Sequence, residues 1–167
     1  SKYFLDTFKL KVSQQQIIDR IEQIVAENYK YTIPLKAGVK SLIDYLDSQN
    51  IPYGIATATY RTLAVACLTR LGLMDKIQFL ETCSEIGKGK EYPDIFYKCV
   101  QDLNLNVNQV AVVEDSLYCV ETSKKAGLFT IAIYDEASKE DWNDIKNVCD
   151  LTFNSATELL DYIKYLE

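Results

Sequence analysis

Histidine is absent from the 167-residue chain, and this absence narrows the possible chemistry more than any other feature of the composition. It excludes catalytic triads and general bases that use imidazole, and it removes the commonest ligand of zinc sites. Basic residues are also in deficit, because 18 Lys and Arg face 24 Asp and Glu, for a net charge of −6. The chain therefore lacks the positive surplus that neutralises a phosphate backbone, and we expect no nucleic acid partner.

Long apolar runs and paired cysteine motifs are missing as well. No run approaches the ~18 residues of a membrane span, and no charged, apolar and small-residue pattern indicates a signal peptide. The five cysteines are far apart and never in a CxxC spacing, which favours small core residues in a reducing compartment over disulfides or zinc ligands. We therefore expect a cytoplasmic protein with no membrane partner.

The residues that are present are typical of a globular α/β domain. Hydrophobic residues make up 48% of the chain and charged residues 25%, a balance that allows a buried core. Helical spacing over residues 13–29, with Ser13 as the candidate N-cap, precedes a break at Pro34 to Gly38. Short apolar runs then alternate with helical segments, which predicts a parallel sheet covered by helices. The predicted strands are 51–58, 77–80, 110–113, 129–133 and 151–153, and the predicted helices are 61–71, 93–103, 117–126, 140–148 and 156–166.

Polar side chains follow two of the predicted strands, and a lysine-bearing loop lies between them in sequence. Ligands of parallel sheets bind at the carboxyl ends of the strands, so these positions are the first candidates for a site. Taken singly, each has a structural explanation as a strand end, a helix cap or a solvated surface. Together they supply what phosphoryl transfer needs, namely oxygen ligands for Mg²⁺ and positive charge for phosphoryl oxygens. The residues are Thr57, Ala58 and Thr59, then Lys88 and Lys90, then Glu114 and Asp115.

Three stretches in a fixed order carry a family resemblance, and they are Ile55 to Thr59, Gly89 to Phe96 and Val112 to Ser116. This order resembles the haloacid dehalogenase-like hydrolases, in the branch of β-phosphoglucomutase-like and sugar-phosphatase-like members with a helical cap. The resemblance extends over about residues 13–135. It implies a Rossmann-like parallel sheet with the remnant of a helical cap, with residues 1–36 as the partial cap and residues 37–167 as the core.

The resemblance also implies an activity and a role for each candidate residue. The implied protein is a Mg²⁺-dependent phosphatase acting on a small phosphorylated metabolite, such as a sugar phosphate. A mutase stays open as an alternative, although the cap face with Ile24 and Val25 favours a phosphatase over a mutase that must hold a second phosphate. The implied roles are phosphoryl binding by Thr57, Ala58 and Thr59, charge neutralisation by Lys90, and Mg²⁺ binding by Glu114 and Asp115.

The first motif of the family, Asp-x-Asp-Gly-Thr, does not occur in the chain. In the family it lies on the central strand, between the strands that end here at Thr57 and Asp115, and it supplies the nucleophilic Asp. Asp6 follows an apolar run but has no second Asp or Gly after it, so it is a weak candidate. We expect the central strand and the nucleophile, which forms an aspartyl-phosphate, to come from a segment upstream of Ser1. Residues 3–8 or a neighbouring chain are weaker candidates, and we expect this chain alone to be inactive.

Two other classes of protein share part of this pattern. A phosphotransfer receiver domain also uses acidic residues, a Thr and a Lys, but its acidic pair precedes the other two. The order here is Thr57, Lys90 and then Glu114 with Asp115. A non-catalytic binding protein that has lost the nucleophile stays open, and Mg²⁺ binding without turnover would distinguish it.

Overall fold

The structure is a computed structural model that describes residues 7–9 and 11–166. The helices are α1 (Gln14–Tyr31), α2 (Val39–Ser48), α3 (Arg61–Arg70), α4 (Cys83–Ile86), α5 (Asp94–Asp102), α6 (Leu117–Lys125), α7 (Trp142–Val148) and α8 (Ala156–Tyr165). The strands are β1 (Ile55–Thr57), β2 (Leu80–Thr82), β3 (Ala111–Glu114), β4 (Phe129–Ile133) and β5 (Leu151–Phe153). None of the helices in the described ranges is long and apolar enough to cross a membrane.

All pairs of the described strands are parallel, which confirms the predicted α/β fold. β1 pairs with β2, and β3, β4 and β5 form a second sheet in that order. The registers place Thr57 opposite Thr82 and Glu114 opposite Ala132. Among the described strands, β1 pairs only with β2 and β3 only with β4, so each has one edge without a strand neighbour.

Most predicted elements are observed close to their predicted bounds, and the strands at 129–133 and 151–153 match them. The prediction for residues 51–58 was too long, because the observed strand covers only Ile55–Thr57. Pro52 has no N–H to donate to a strand ladder, and Asn50 has a left-handed backbone with φ 54°. The residues before Ile55 therefore form a connection after α2. The run predicted at 77–80 is likewise displaced, since the strand is Leu80–Thr82.

The first long helix begins at the predicted N-cap. The Ser13 hydroxyl oxygen accepts a hydrogen bond from the Gln16 N–H at 3.1 Å, and the Gln16 side chain accepts one from the Ser13 N–H at 2.8 Å. This reciprocal capping satisfies two amide groups that the helix itself leaves without partners. α1 packs against α3, and the Arg70 guanidinium donates to the carbonyl oxygens of Tyr29 and Ile33 at 3.3 and 2.6 Å. The C-terminal end of α1 is thus fixed to the α/β body.

One hydrophobic cluster supports strands from both sheets. Its buried centre includes Ile95 and Phe96 of α5, which are 0% and 2% exposed. Ala56 of β1 and Val112 of β3 both pack against this cluster. The two strands that carry the candidate site residues are therefore positioned by the same helix, although they do not pair with each other.

Gly38 occupies the end of the linker from α1 to α2. Its φ of +81° lies in the left-handed region, and a Cβ there would lie 2.4 Å from Thr157 Oγ1 and 2.5 Å from Thr157 N. Glycine is therefore required both by the backbone conformation and by the close approach of α8. α2 packs along α8 from this point.

Candidate active site

Lys90 and Glu114 form the most shielded ion pair among the candidate residues. Lys90 lies in the loop before α5, and Glu114 is the last residue of β3. The Lys90 ammonium lies 2.5 Å from Glu114 Oε1, and the two side chains are only 13% and 11% exposed. The structure thus brings together the predicted charge-neutralising lysine and one of the two predicted metal ligands.

The pKa of Lys90 is raised by this pairing. Burial by itself disfavours the ammonium and lowers the pKa, but the charge of Glu114 and its hydrogen bond act in the opposite direction and outweigh it. Lys90 is therefore held as a cation at neutral pH in spite of its burial. A fixed positive charge in a poorly hydrated place is the kind of group that stabilises charge developing on a transferring phosphoryl group.

Lys88 has a different environment, although it belongs to the same loop. Its ammonium lies 2.6 Å from Asp94 Oδ1 and 5.7 Å from the centre of the Tyr92 ring. Its side chain is 51% exposed. The structure therefore pairs Lys90, and not Lys88, with Glu114 at the end of β3.

Asp115 follows Glu114 in the chain but has a separate set of partners. Its Oδ2 lies 2.8 Å from the Lys36 ammonium, and its Oδ1 accepts a hydrogen bond from the Ser116 hydroxyl at 3.2 Å. The same Lys36 ammonium lies 2.5 Å from Asp135 Oδ2, just beyond the end of β4. One lysine from the linker therefore joins two carboxylates from neighbouring strand ends.

These acidic residues line a cavity of about 470 Å³ at the carboxyl ends of β3, β4 and β5. A cavity of this size is in the range that holds small-molecule ligands. Its charged and polar lining includes Lys36, Glu114, Asp115, Asp135, Asn154 and Ser155.

The threonines predicted to bind phosphate lie at the end of β1. The Thr57 hydroxyl accepts a hydrogen bond from the Thr59 N–H at 3.0 Å, which folds the loop back on the strand end. The Thr59 hydroxyl in turn lies 2.9 Å from the Tyr29 hydroxyl of α1. The loop of Thr57, Ala58 and Thr59 is thus in contact with the helical segment, while Lys90 and Glu114 contact each other at the end of the second sheet.

The chemistry of Glu114 and Asp115 fits a Mg²⁺ site. Mg²⁺ is usually bound through one or two carboxylates, with water and substrate phosphate oxygens as its other ligands. Asp115 lines the cavity with a partly exposed carboxylate, and Glu114 uses only Oε1 in its contact with Lys90. Within the described residues, no group of three or more acidic, cysteine or histidine side chains is placed to hold a metal ion. Two adjacent carboxylates, with water and phosphate oxygens as the remaining ligands, are compatible with this mode of Mg²⁺ binding.

Sequence reasoning missed three polar residues of this region. Asp135 follows β4, so the rule that identified Glu114 and Asp115 could also have found it. Lys36 and Tyr29 gave no comparable signal, because a linker lysine and a helix tyrosine are ordinary surface residues. Asp6, the weak nucleophile candidate, lies outside the described residues, and Thr7 and Phe8 after it are helical.

Comparison with known proteins identifies the same family that the order of the three sequence motifs resembles. The sequence profile of the haloacid dehalogenase-like hydrolase family matches residues 2–133 of the chain. The chain belongs to this family. Its matched region includes the loop after β1, the loop of Lys90 and the acidic end of β3.

Curated relatives include phosphatases of phosphorylated compounds and also a β-phosphoglucomutase of Bacillus subtilis (strain 168), which is 28% identical over 99 residues, 59% of this chain and 43% of that protein. Validoxylamine A 7'-phosphate phosphatase of Streptomyces hygroscopicus subsp. limoneus is 28% identical over 96 residues, which are 58% of this chain and 45% of that protein. Hexitol phosphatase B of Escherichia coli K12 is 25% identical over 148 residues, 88% of this chain and 65% of that protein. The chain thus spans between about half and two thirds of the length of these relatives.

Solved structures support the fold. A Thermotoga maritima protein provisionally named a β-phosphoglucomutase superposes with a TM-score of 0.80 at 21% identity, over 99% of this chain and 76% of that protein. At this level of identity the similarity establishes the Rossmann-like α/β fold and not the reaction. The predicted fold class and the predicted family are therefore both confirmed.

Proposed function

We propose that the protein containing this chain is a Mg²⁺-dependent phosphatase that acts on a small phosphorylated metabolite of the sugar-phosphate type. In this proposal Lys90 and Thr57 act on the phosphoryl group, and Ala58 and Thr59 form the rest of its binding loop. Glu114 and Asp115 are the protein's metal ligands. The nucleophile is an Asp upstream of this chain, on which an aspartyl-phosphate forms.

The shielded ion pair of Lys90 and Glu114 is the observation that carries the proposal. A lysine that only improves solubility would be solvated, as Lys88 is, whereas the Lys90 side chain is 13% exposed. Its partner Glu114 and the next residue, Asp115, both line a cavity of ligand size. A cation, a carboxylate pair and a cavity at one set of strand ends are the arrangement that phosphoryl transfer requires.

Different residues of the chain would bind the phosphoryl group and compensate its charge. Lys90 would offset negative charge on both the phosphoryl oxygens and the attacking carboxylate, so that the two anions can approach each other. The Thr57 hydroxyl would hydrogen-bond a phosphoryl oxygen and hold the group in line for attack. When bound, Mg²⁺ would supply further charge stabilisation to the phosphoryl oxygens.

The names of the relatives and the composition of the site support the proposed substrate class. Two of the relatives are named hexitol phosphatase B and validoxylamine A 7'-phosphate phosphatase, and these names support a phosphorylated carbohydrate-like substrate. A mutase would need further cations for a second phosphate, but α1 presents Ile24 and Val25 as partly exposed apolar side chains. This difference favours a phosphatase. Cytoplasmic location, suggested by the five free cysteines, is part of the same proposal.

The edges of β1 and β3 favour completion of the sheet by a further strand. β3 presents Val113 with 47% of its surface exposed, next to an edge that no described strand covers. Exposed apolar strand edges are templates for pairing with another strand. We propose that a segment preceding Ser1 in the natural protein inserts between β1 and β3 and carries the nucleophile. A strand from a second chain is the alternative occupant.

The proposed function is tested by measuring phosphate release from a panel of sugar and sugar-alcohol phosphates, with and without Mg²⁺. The protein should include the segment that precedes Ser1 in its gene. We expect Mg²⁺-dependent release from at least one member of the panel. Mg²⁺ binding without release from any of them would favour the non-catalytic binding protein instead.

Strand insertion is tested separately by hydrogen exchange of backbone amides in β1 and β3. In the chain as given, these amides should exchange faster than those of β4, which has a neighbour on both sides. Addition of the upstream segment should slow exchange in β1 and β3 together. Exchange that is equally slow in all three strands without this segment would contradict the insertion.

A further inference from the structure

Lys36 is placed where two of the sheet's strand ends meet the linker from α1. Its ammonium lies 2.8 Å from Asp115 Oδ2 and 2.5 Å from Asp135 Oδ2. The three side chains line the same cavity. One positive charge is therefore shared between two carboxylates, and one of these is the exposed member of the proposed metal pair.

The two carboxylates differ in how firmly they are held. Asp135 caps the turn after β4, because its Oδ1 accepts a hydrogen bond from the Ala137 N–H at 2.8 Å. Its side chain is 26% exposed, against 37% for Asp115. Apart from Lys36, the one side-chain partner of Asp115 among the described residues is the adjacent Ser116 hydroxyl, at a long 3.2 Å. Asp135 is thus the fixed partner of Lys36, and Asp115 is the partner that can be exchanged.

Lys36 itself can move, since its side chain is 55% exposed and has a flexible stem of four carbons. This freedom distinguishes it from Lys90, which is shielded in its contact with Glu114. A divalent cation that approached Asp115 would compete with the Lys36 ammonium for the same carboxylate oxygen. Lys36 could then keep its contact with Asp135 without crossing the cavity.

We propose that Lys36 is a positioning residue that acts as an internal cation, holding both Asp115 and Asp135 before Mg²⁺ binds and keeping only its contact with Asp135 when Mg²⁺ takes its place at Asp115. This inference rests on the proposed function, because it takes Asp115 as a metal ligand. Two effects follow from the competition. Lys36 lowers the affinity for Mg²⁺, and it prevents repulsion between Asp115 and Asp135 when no metal is bound.

The test is calorimetric titration of the purified protein with Mg²⁺ at constant ionic strength, because screening changes both competing interactions. Lys36→Gln should bind Mg²⁺ about fivefold more tightly than wild type, the factor that corresponds to an exposed ion pair of ~1 kcal/mol. Asp135→Asn should bind Mg²⁺ more weakly than wild type. Without the Asp135 charge, Lys36 pairs with Asp115 alone and competes more strongly with the metal. Lys88→Gln is the matched control, since it removes one lysine charge from the site's other loop and should change the affinity little.

A double variant separates competition from a general change in electrostatic potential. In the Lys36→Gln background, Asp135→Asn should lose most of its effect on Mg²⁺ affinity, since no ammonium is left to redistribute. In addition, heating without metal should unfold Lys36→Gln at a lower temperature than wild type, and Mg²⁺ should remove this difference.

The outcomes distinguish this inference from the function on which it rests. Equal or weaker Mg²⁺ binding by Lys36→Gln, together with loss of binding in Asp115→Asn, would overturn the role of Lys36 and leave the metal ligands in place. Unchanged Mg²⁺ affinity in Asp115→Asn, or no Mg²⁺ binding by either wild type or Lys36→Gln, would overturn both. If Lys88→Gln raised the Mg²⁺ affinity as much as Lys36→Gln, the effect would come from net charge in general, and the proposed competition by Lys36 would be overturned.

Discussion

Glu114 and Asp115 are adjacent in the chain, and each contacts a lysine, yet the two ion pairs are of different kinds. The Glu114 pair with Lys90 is almost closed to solvent, whereas Asp115 and Lys36 are both more than a third exposed. Both carboxylates line the cavity, but the Glu114 side chain is 11% exposed and the Asp115 side chain 37%, so Asp115 is the more accessible of the two. The comparison suggests that the inner pair is permanent and that the outer pair is exchangeable.

Removal of the outer carboxylate should have the largest effect on activity. Asp115→Ala in the protein with its upstream segment should lower turnover by on the order of a thousandfold, equivalent to ~4 kcal/mol, because a metal ligand is lost. Phosphate release at ordinary Mg²⁺ concentrations measures it. Asp94→Ala, which removes a carboxylate from the neighbouring lysine pair, is the control. Unchanged turnover of Asp115→Ala would refute its assignment as a metal ligand.

Removal of the inner lysine should have the next largest effect. Lys90→Ala should reduce the rate about a hundredfold, or ~3 kcal/mol, because a fixed charge that acts on the transition state is lost. Lys88→Ala is the matched variant from the same loop and should retain most of the activity. If Lys88→Ala were the worse enzyme in the same assay, the assignment of Lys90 would be wrong.

The free energy of unfolding should separate the two carboxylates most directly. Glu114→Gln leaves the shielded Lys90 charge without its counterion, and we expect a loss on the order of 2 kcal/mol. Asp115→Asn affects a solvated pair and should cost less than about 1 kcal/mol. Urea denaturation of both variants without metal checks this difference. Equal losses would mean that burial does not distinguish the pairs.

The smallest predicted effect concerns Asp135 in acid. The hydrogen bond from Lys36 and that from the Ala137 N–H lower the pKa of Asp135 below 3.8. A carboxyl with a lowered pKa contributes its stability above the unfolded value and loses it as pH falls through the folded value. Asp135→Asn should therefore be less stable than wild type by up to about 1 kcal/mol at pH 7, and the difference should shrink below pH ~3.8.

Urea denaturation at pH 7 and pH 3 measures this dependence. In a Lys36→Gln background the substitution of Asp135 should have a smaller effect, because the main cause of the lowered pKa is gone. A difference that increased on acidification would contradict the proposed role of the Lys36 contact.

Local patterns in the sequence predicted most of the elements, and they identified Lys90 and Glu114 separately as candidate site residues. Ser13 with Gln16 and the apolar run at 129–133 are signals contained in a few adjacent residues, so they could be read without the fold. Glu114 and Lys90 could be predicted because the carboxyl ends of parallel strands are common positions for ligands, and because the family order assigned a role to both. The contact between them depends on the packing of α5, which no local pattern encodes.

The contacts that were not predicted join residues far apart in the chain. Lys36 precedes Asp115 by 79 positions and reaches it from a linker that is neither helix nor strand. Tyr29 contacts Thr59 across the boundary between the helical segment and the α/β body. Such contacts depend on how α1 lies on α3, and the amphipathic pattern of α1 indicates only that one face is buried. The predicted strand at 51–58 is too long for a different reason. The apolar residues around Pro52 resemble a strand, although Pro52 itself cannot donate a hydrogen bond to a strand ladder.

Gly38 has a consequence for how the chain can be shortened. Gly38, directly before α2, lies against Thr157 of α8. The last helix, α8, therefore supports the start of α2, the first helix of the α/β body. Deletion of residues 156–166 would leave α2 without its neighbour and would remove the contact that fixes the start of α2. A shortened protein that ended after β5 should therefore lose order near residue 38, more than a hundred positions away along the chain.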